Sequence, residues 1–269
     1  MKRVPLETRE QCSFCRLIQA RPRRQFRDPL SLRQRFVAGL SSTIMTVIDS
    51  LPLFPLSDVV LLPDSSVPLF IFEPRYSQMM REALEGAQQI GMVTVRSDSV
   101  ESMAGDPPIF HVGCMGRIAH AQERPGGTFH ILLVAEARFR ILSEPSRTGE
   151  RLYRSARVVL LEDQMPSSPR EHELLGAGRD ELVELLARFV RGLSGAVGDP
   201  ERTLTSFKQL EPVSLVNAIA QSIPFRAIER QRILESDSLL DRIEITSDLL
   251  RFKLAEAGAV EIGTARLPN

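Results

Sequence analysis

The sequence predicts an α+β protein, a small β-barrel followed by an α-helical bundle. Three observations carry that reading. Over residues 51–163, short runs rich in β-branched and aromatic side chains alternate with turn residues. The polar linker DQMPSSPRE then interrupts the pattern, and beyond it apolar residues recur at three- and four-residue steps. The barrel subdomain is expected over residues 47–163, with a sandwich as the alternative, and the bundle over residues 170–257.

Residues 1–44 come first and differ from the rest. They hold ten Lys and Arg against the three acids Glu7, Glu10 and Asp28, a net charge of +7, and the remainder holds 24 against 31, a net charge of −7. With Pro5, Pro22 and Pro29 and no sustained apolar period, this stretch is expected to be a basic, disordered leader. Met45 opens MTVIDSLPLFPL, which reads like a natural start, so a misassigned upstream start is the other favoured account. A transit peptide is disfavoured because such segments lack acids. A mildly acidic body also argues against nucleic acid as its main partner.

Cys12, Cys15 and Cys114 make no disulfide framework and no secretory signal is present, which points to a reducing cytoplasm. The CSFC spacing supplies half of a zinc site, no second pair follows at a suitable distance, and no metal is expected. The apolar run LPLFPLSDVVLLP is broken by Pro52, Pro55, Asp58 and Pro63. It falls short of the roughly 18 residues that a membrane-spanning helix needs, and a soluble protein without membrane contact is expected.

In the first half, VPLFIF, MVTV, FHVGCMGRIAHAQ, TFHILLVA, RFRIL and ARVVLLE read as six strands. Pro125-Gly126-Gly127 lies between the third and fourth and predicts a hairpin turn, since glycine accepts the positive φ that tight turns demand. One segment breaks the strand pattern. From Glu73 to Leu84 the sequence fits a helix with Pro74 in its first turn and Tyr76, Met79, Met80 and Leu84 along one face. Glu73 then stands at a helix N-terminus, where its charge suits the dipole, and Arg75 is within reach of it. Without a histidine, nucleophile or metal partner nearby in sequence, the Glu73-Pro74-Arg75-Tyr76 string reads as architecture and not as catalysis.

In the second half, Leu174, Leu175, Leu182, Leu185, Leu186, Phe189, Val190 and Leu193 predict one long helix stopped near Gly195 and Gly198. Two further apolar faces follow, on Val216, Ile219 and Ile223 and on Leu239, Ile243, Leu250 and Leu254. Pro212 and Pro224 suit helix starts, which makes a bundle of about four helices.

The search for chemistry returns mainly exclusions. There is no G-x-x-x-x-G-K-[ST], and the chain has only Lys2, Lys208 and Lys253, so a nucleotide triphosphate has no cradle. G-x-G-x-x-G and G-x-S-x-G are absent too, and no cofactor is expected. His111, His120 and His130 lie in strand-like segments without an acid close in sequence, and Cys114 has no evident base. They read as ordinary strand residues and a small buried thiol. What remains is binding. Apolar residues near loops, Leu53, Phe54, Met79, Met80 and Phe110, are candidates to line a cleft between barrel and bundle, with core packing as the alternative.

LPLFPLSDVVLLPDSSVPLFIFEPRYSQMM, then VGCMGRIAH and FRIL, and in the bundle SLVNAIAQSIPFRAIERQRILESDSLLDRIE, give the chain a family likeness. From about Leu51 to Lys253 it resembles the N-terminal substrate-binding domain of Lon proteases. The resemblance implies a pseudo-PUA β-barrel followed by a helical bundle. It also implies a non-catalytic module that binds unfolded or tagged client proteins, or a Lon-type protease partner, with Glu73, Pro74, Arg75 and Tyr76 as a fold signature. The ATPase and serine-lysine peptidase of full-length Lon are not expected in this sequence. One departure is Ala135, where the family often has glycine ahead of the Arg138-Phe139 motif, so the local turn or bulge is expected to differ. Two rival functions stay open: a hydrolase acting through residues read here as structural, and RNA binding by analogy with PUA-type barrels.

Overall fold

The structure, a computed structural model, describes residues 45–96, 105–146, 149–192 and 199–264, with side chains described as far as residue 257. The expectations for the leader, for Cys12 and Cys15, and for Leu193, Gly195 and Gly198 lie outside the described residues. The described elements run β1 (Val47–Leu56), β2 (Ser66–Ile71), α1 (Pro74–Glu85), β3 (Gln89–Thr94), β4 (Val112–Arg124), β5 (Thr128–Ser143) and β6 (Ser155–Leu161). The helices α2 (Pro169–Gly192), α3 (Pro200–Lys208), α4 (Pro212–Ser222), α5 (Ala227–Glu235) and α6 (Leu239–Thr264) follow. The protein is therefore α+β, as the sequence predicts.

The six strands form one sheet in the order β2-β5-β4-β3-β1-β6, and a further β5–β6 pairing closes it. β5 makes the closure possible. One of its edges pairs with β4 from Thr128 to Arg140, while the other pairs first with β2 (Phe129 to Val134) and then with β6 (Arg138 to Ser143). Five strands thus make a barrel, and β2 is left as an outlying edge strand.

TFHILLVA and RFRIL are one strand and not the two that the sequence suggests. At the join, Met115 faces Ala137 and Gly116 faces Ala135, so Glu136 is an extra residue in a bulge that bends β5 between its two partners. Ala135 donates its N–H to the Ser65 carbonyl at 2.9 Å and keeps a negative φ, so the bulge forms without glycine.

β1 escapes the sequence reading because prolines interrupt it. Its first half pairs with β6 and its second half, antiparallel giving way to parallel, with β3. The Leu56 carbonyl accepts from Val95 N at 2.9 Å, so by alternation Pro55 turns its donorless nitrogen away from β3, to a side where β6 has already ended. The Pro125-Gly126-Gly127 turn forms as expected, with φ of 89° and 74° at the two glycines.

Among the described residues five helices follow the barrel, where about four are expected. α3 and α5 have nine residues each, too short for an apolar period to show. Pro212 opens α4 as predicted, but Pro224 lies in the link between α4 and α5. α5 begins at Ala227, where Glu229 accepts from the Arg226 N–H at 2.7 Å and from Arg226 Nε at 2.9 Å.

Two clusters make the core. One fills the barrel with Leu51, Leu53, Val93, Phe139, Ile141 and Val158. Gly113 is needed beside it, because a Cβ there would stand 2.5 Å from the Met92 carbonyl oxygen and 2.7 Å from Phe139. The larger cluster runs without a break from Ile71, Met79 and Leu133 under the sheet to Leu182, Ile219 and Ile233 in the bundle. Polar side chains fix the same junction. Gln231 on α5 is fully buried, accepts from Thr94 Oγ1 at 2.7 Å and donates to the Val112 carbonyl at 2.9 Å. Arg138, 2% exposed, donates to the carbonyls of Leu234 (3.0 Å), Ser236 (2.8 Å) and Glu162 (3.2 Å). Its guanidinium also meets Asp163 at 3.0 Å and Asp237 at 3.3 Å, and Arg242 reaches the same Asp163 oxygen at 2.7 Å.

Candidate functional site

β2 places a continuous apolar run at the edge of the sheet. Its alternation sends Val67, Leu69 and Ile71 inward and Pro68, Phe70 and, just past its end, Phe72 outward. No described element covers that outer face, so Phe70 is 52% exposed and Phe72 63%. The register sets the neighbours: Phe70 lies opposite His130 and Pro68 opposite Leu132 on β5, and these in turn lie opposite Gln122 and His120 on β4. The rings of Phe70 and Phe72 stack at 5.9 Å between centroids, and His130 lies 4.8 Å from Phe70. Leu132, 37% exposed, extends the apolar surface.

A groove of about 400 Å³ runs over this face. Pro68 and Phe70 form one wall, His120, Gln122 and Arg124 the other, and His130 and Leu132 lie between. Large apolar side chains clustered at a protein surface mark contact sites more often than isolated exposed ones do. The signal was present in the sequence: VPLFIF reads as a strand apolar on both faces, and a strand at the edge of an otherwise one-sided sheet has only one face to bury.

The residues first expected to line a binding surface do not lie there. Leu53 points into the barrel, Met79 and Met80 pack under α1 in the main core, and all three are fully buried. Phe54 is 5% exposed and meets Tyr76 edge-on at 4.6 Å. Phe110 is half-buried beside β3, its N–H bonded to Thr94 O at 2.9 Å. Core packing claims four of the five: Leu53 lies inside the barrel, and Phe54, Met79 and Met80 lie where α1 packs against the sheet.

Glu73, Pro74, Arg75 and Tyr76 come together at the start of α1. Pro74 occupies the first turn, Glu73 precedes it without capping it through its side chain, and Arg75 meets Glu73 at 2.8 Å. Arg75 also donates to the Gly105 carbonyl at 3.0 Å and lies 4.6 Å from the Tyr76 ring centre. The string ties a helix start to a neighbouring loop. Cys114 is fully buried, and loss of solvent pushes its thiol pKa up, which keeps it a thiol and a poor nucleophile.

Of the only two tyrosines, Tyr76 lies in the first turn of α1 and Tyr153 donates to Glu82 on the same helix. Burial raises the pKa of Tyr76; burial, then the hydrogen bond to Glu82, raises that of Tyr153 to about 12. Both shifts favour the protonated phenol in the folded chain. Their stabilisation is present below the ordinary phenol pKa of 10.0 and is lost as pH rises through the folded values. In a spectrophotometric titration the folded protein should show less tyrosinate at pH 10.0 than the urea-unfolded chain, which is half ionised there. A folded-state midpoint near the unfolded one would mean that α1 is not packed as described.

Among the described residues, no cluster of three or more His, Cys, Asp or Glu is arranged to hold a metal ion, and no helix is long and apolar enough to cross a membrane. Barrel, bundle and open aromatic face together describe an α+β domain with an exposed apolar surface. The chain belongs to the family of the ATP-dependent protease La (LON) substrate-binding domain, whose model matches residues 50–251. Among its relatives, the Lon protease of Parabacteroides distasonis is 30% identical over 206 residues, which cover 74% of this chain and 23% of that protein. The Lon protease of Escherichia coli strain K12 is 27% identical over 195 residues, 72% of this chain and 24% of that protein. The chain thus spans about a quarter of the length of the curated relatives it matches. Two solved structures share the fold. The Lon N-terminal domain protein from Xanthomonas campestris gives a TM-score of 0.50 at 24% identity, over 73% of this chain and 96% of that one. The N-terminal domain of the Mycobacterium avium complex Lon protease gives 0.57 at 16% identity, over 76% and 98%.

Proposed function

We propose that the protein is a polypeptide-recognition module that captures exposed apolar segments of client proteins on the outer face of β2, β5 and β4. The observation that carries this reading is the stacked Phe70–Phe72 pair, uncovered at the edge of the sheet beside Leu132. Two large side chains in water are a cost that a client's own apolar residues would remove, at about 1.5–3 kcal/mol for each ring fully buried. Membership of a substrate-binding family supports the same role, and a Lon-type protease is the natural recipient of what is captured. The module binds and breaks no bond.

The test is retention measured together with cleavage. The purified chain is immobilised and offered an unfolded, reduced protein and its native counterpart, with and without ATP. Retention of the unfolded form alone, with the client recovered intact, is the expected result. Fragments of the client would favour the hydrolase reading. Retention competed by RNA and lost steeply with salt would favour the RNA reading.

A further inference from the structure

Three acids that border the apolar face, among the described residues, each have a basic partner. Glu123 pairs with Arg81 at 3.2 Å, Glu136 with Arg117 at 2.9 Å, and Glu73 with Arg75 at 2.8 Å. Arg124, on the polar wall of the groove, has no side-chain hydrogen bond or ion pair among the described residues. The wall beside it offers the Gln122 amide and the His120 ring and no carboxylate. The groove is therefore two-sided, apolar along β2 and cationic with hydrogen-bonding groups along β4.

An extended segment lying along the strands presents successive side chains to opposite sides. Apolar residues turned to Pro68 and Phe70 leave the alternate positions facing Arg124 and Gln122. Covering Arg124 with another apolar side chain would strip water from its charge without return, and a lysine there would add repulsion. A carboxylate would supply the missing partner in a charge-assisted contact. We propose that the groove selects extended client segments in which apolar residues alternate with aspartate or glutamate. This inference rests on the apolar capture proposed above and adds the charge preference to it.

The experiment uses the full chain and two fluorescein-labelled ten-residue peptides, each with leucine and phenylalanine at alternate positions. One carries aspartates between them, the other lysines. The full chain holds 34 basic and 34 acidic residues, and its first 44 residues carry +7, so an aspartate preference reports the groove only where Arg124→Glu abolishes it. By fluorescence anisotropy the aspartate peptide should bind about five-fold more tightly, the scale of one partly exposed ion pair. Arg124→Glu should invert the order while leaving the thermal midpoint in place, since its site is exposed. Equal binding, a lysine preference, or an aspartate preference that survives Arg124→Glu overturns the inference. If both peptides bind alike and both are lost on replacing Phe70 and Phe72 with serine, apolar capture stands and only the charge preference fails. If neither peptide binds, or serine at both positions changes nothing, capture on this face fails as well.

Discussion

Asp163→Ala should destabilise the protein by about 3–5 kcal/mol, the usual cost of leaving buried charge uncompensated. Arg138 and Arg242 are 2% and 1% exposed and converge on one Asp163 oxygen, at 3.0 and 2.7 Å. Burial lowers the pKa of Arg138, the nearby Arg242 lowers it further, and Asp163 and Asp237 oppose both. Removing Asp163 takes away the one carboxylate that both guanidinium groups share, leaving Arg138 with Asp237 and Arg242 with no carboxylate among the described residues. Asp163→Asn should retain the shape and lose most of the same stability, which separates charge from packing. Asp49, 87% exposed opposite Arg157, is the control, and its alanine variant should change stability by no more than about 0.5 kcal/mol. Urea unfolding read by far-ultraviolet dichroism measures all three variants, with the shift in midpoint and not in slope carrying the result. A loss below about 1 kcal/mol for Asp163→Ala would mean that the cluster is not buried as described. Because Asp163 follows β6 while Arg242 lies on α6, the same loss would show the barrel and bundle to be one cooperative unit.

Replacing Phe70 and Phe72 together with serine should weaken capture of an unfolded client about thirty-fold or more. Truncating aromatic anchors at the centre of an interface costs about 2 kcal/mol or more. The folded domain should tolerate the change well, since both rings face solvent and their removal leaves no cavity. Phe54→Ser is the informative contrast. Phe54 is 5% exposed and packs on Tyr76, so its loss should lower stability. At temperatures where that variant is still folded, its client affinity should be unchanged. Equal affinity losses in the two variants, with both folded, would place the binding surface elsewhere.

Much of the fold was legible in the sequence because its signals are local. The hairpin at Pro125-Gly126-Gly127, the proline-led helix from Pro74 and the long α2 each follow from residues a few positions apart. β1 was hidden because its prolines are tolerated only by a pairing that changes partner midway, a fact of topology. β5 was divided at Glu136 because a bulge and a strand break look alike until the partner's register is known. Four of the five binding candidates are buried for a related reason. Leu53, Phe54, Met79 and Met80 sit near loops in sequence, but the closed barrel buries Leu53 and the packing of α1 on the sheet buries the other three. VPLFIF carried the better signal and read only as a strand, since a run apolar at every position does not reveal which face remains uncovered. The Arg138, Asp163, Asp237 and Arg242 cluster joins residues far apart along the chain, and only the folded structure brings them together.

Amide hydrogen exchange of the full chain, with and without a saturating unfolded client, tests the central claim most directly. Protection should rise over residues 66–72, 118–124 and 128–134, the three strands of the aromatic face, and stay level in α2 to α6. Protection gained in the helices alone, with these strands unchanged while the client is bound, would contradict it.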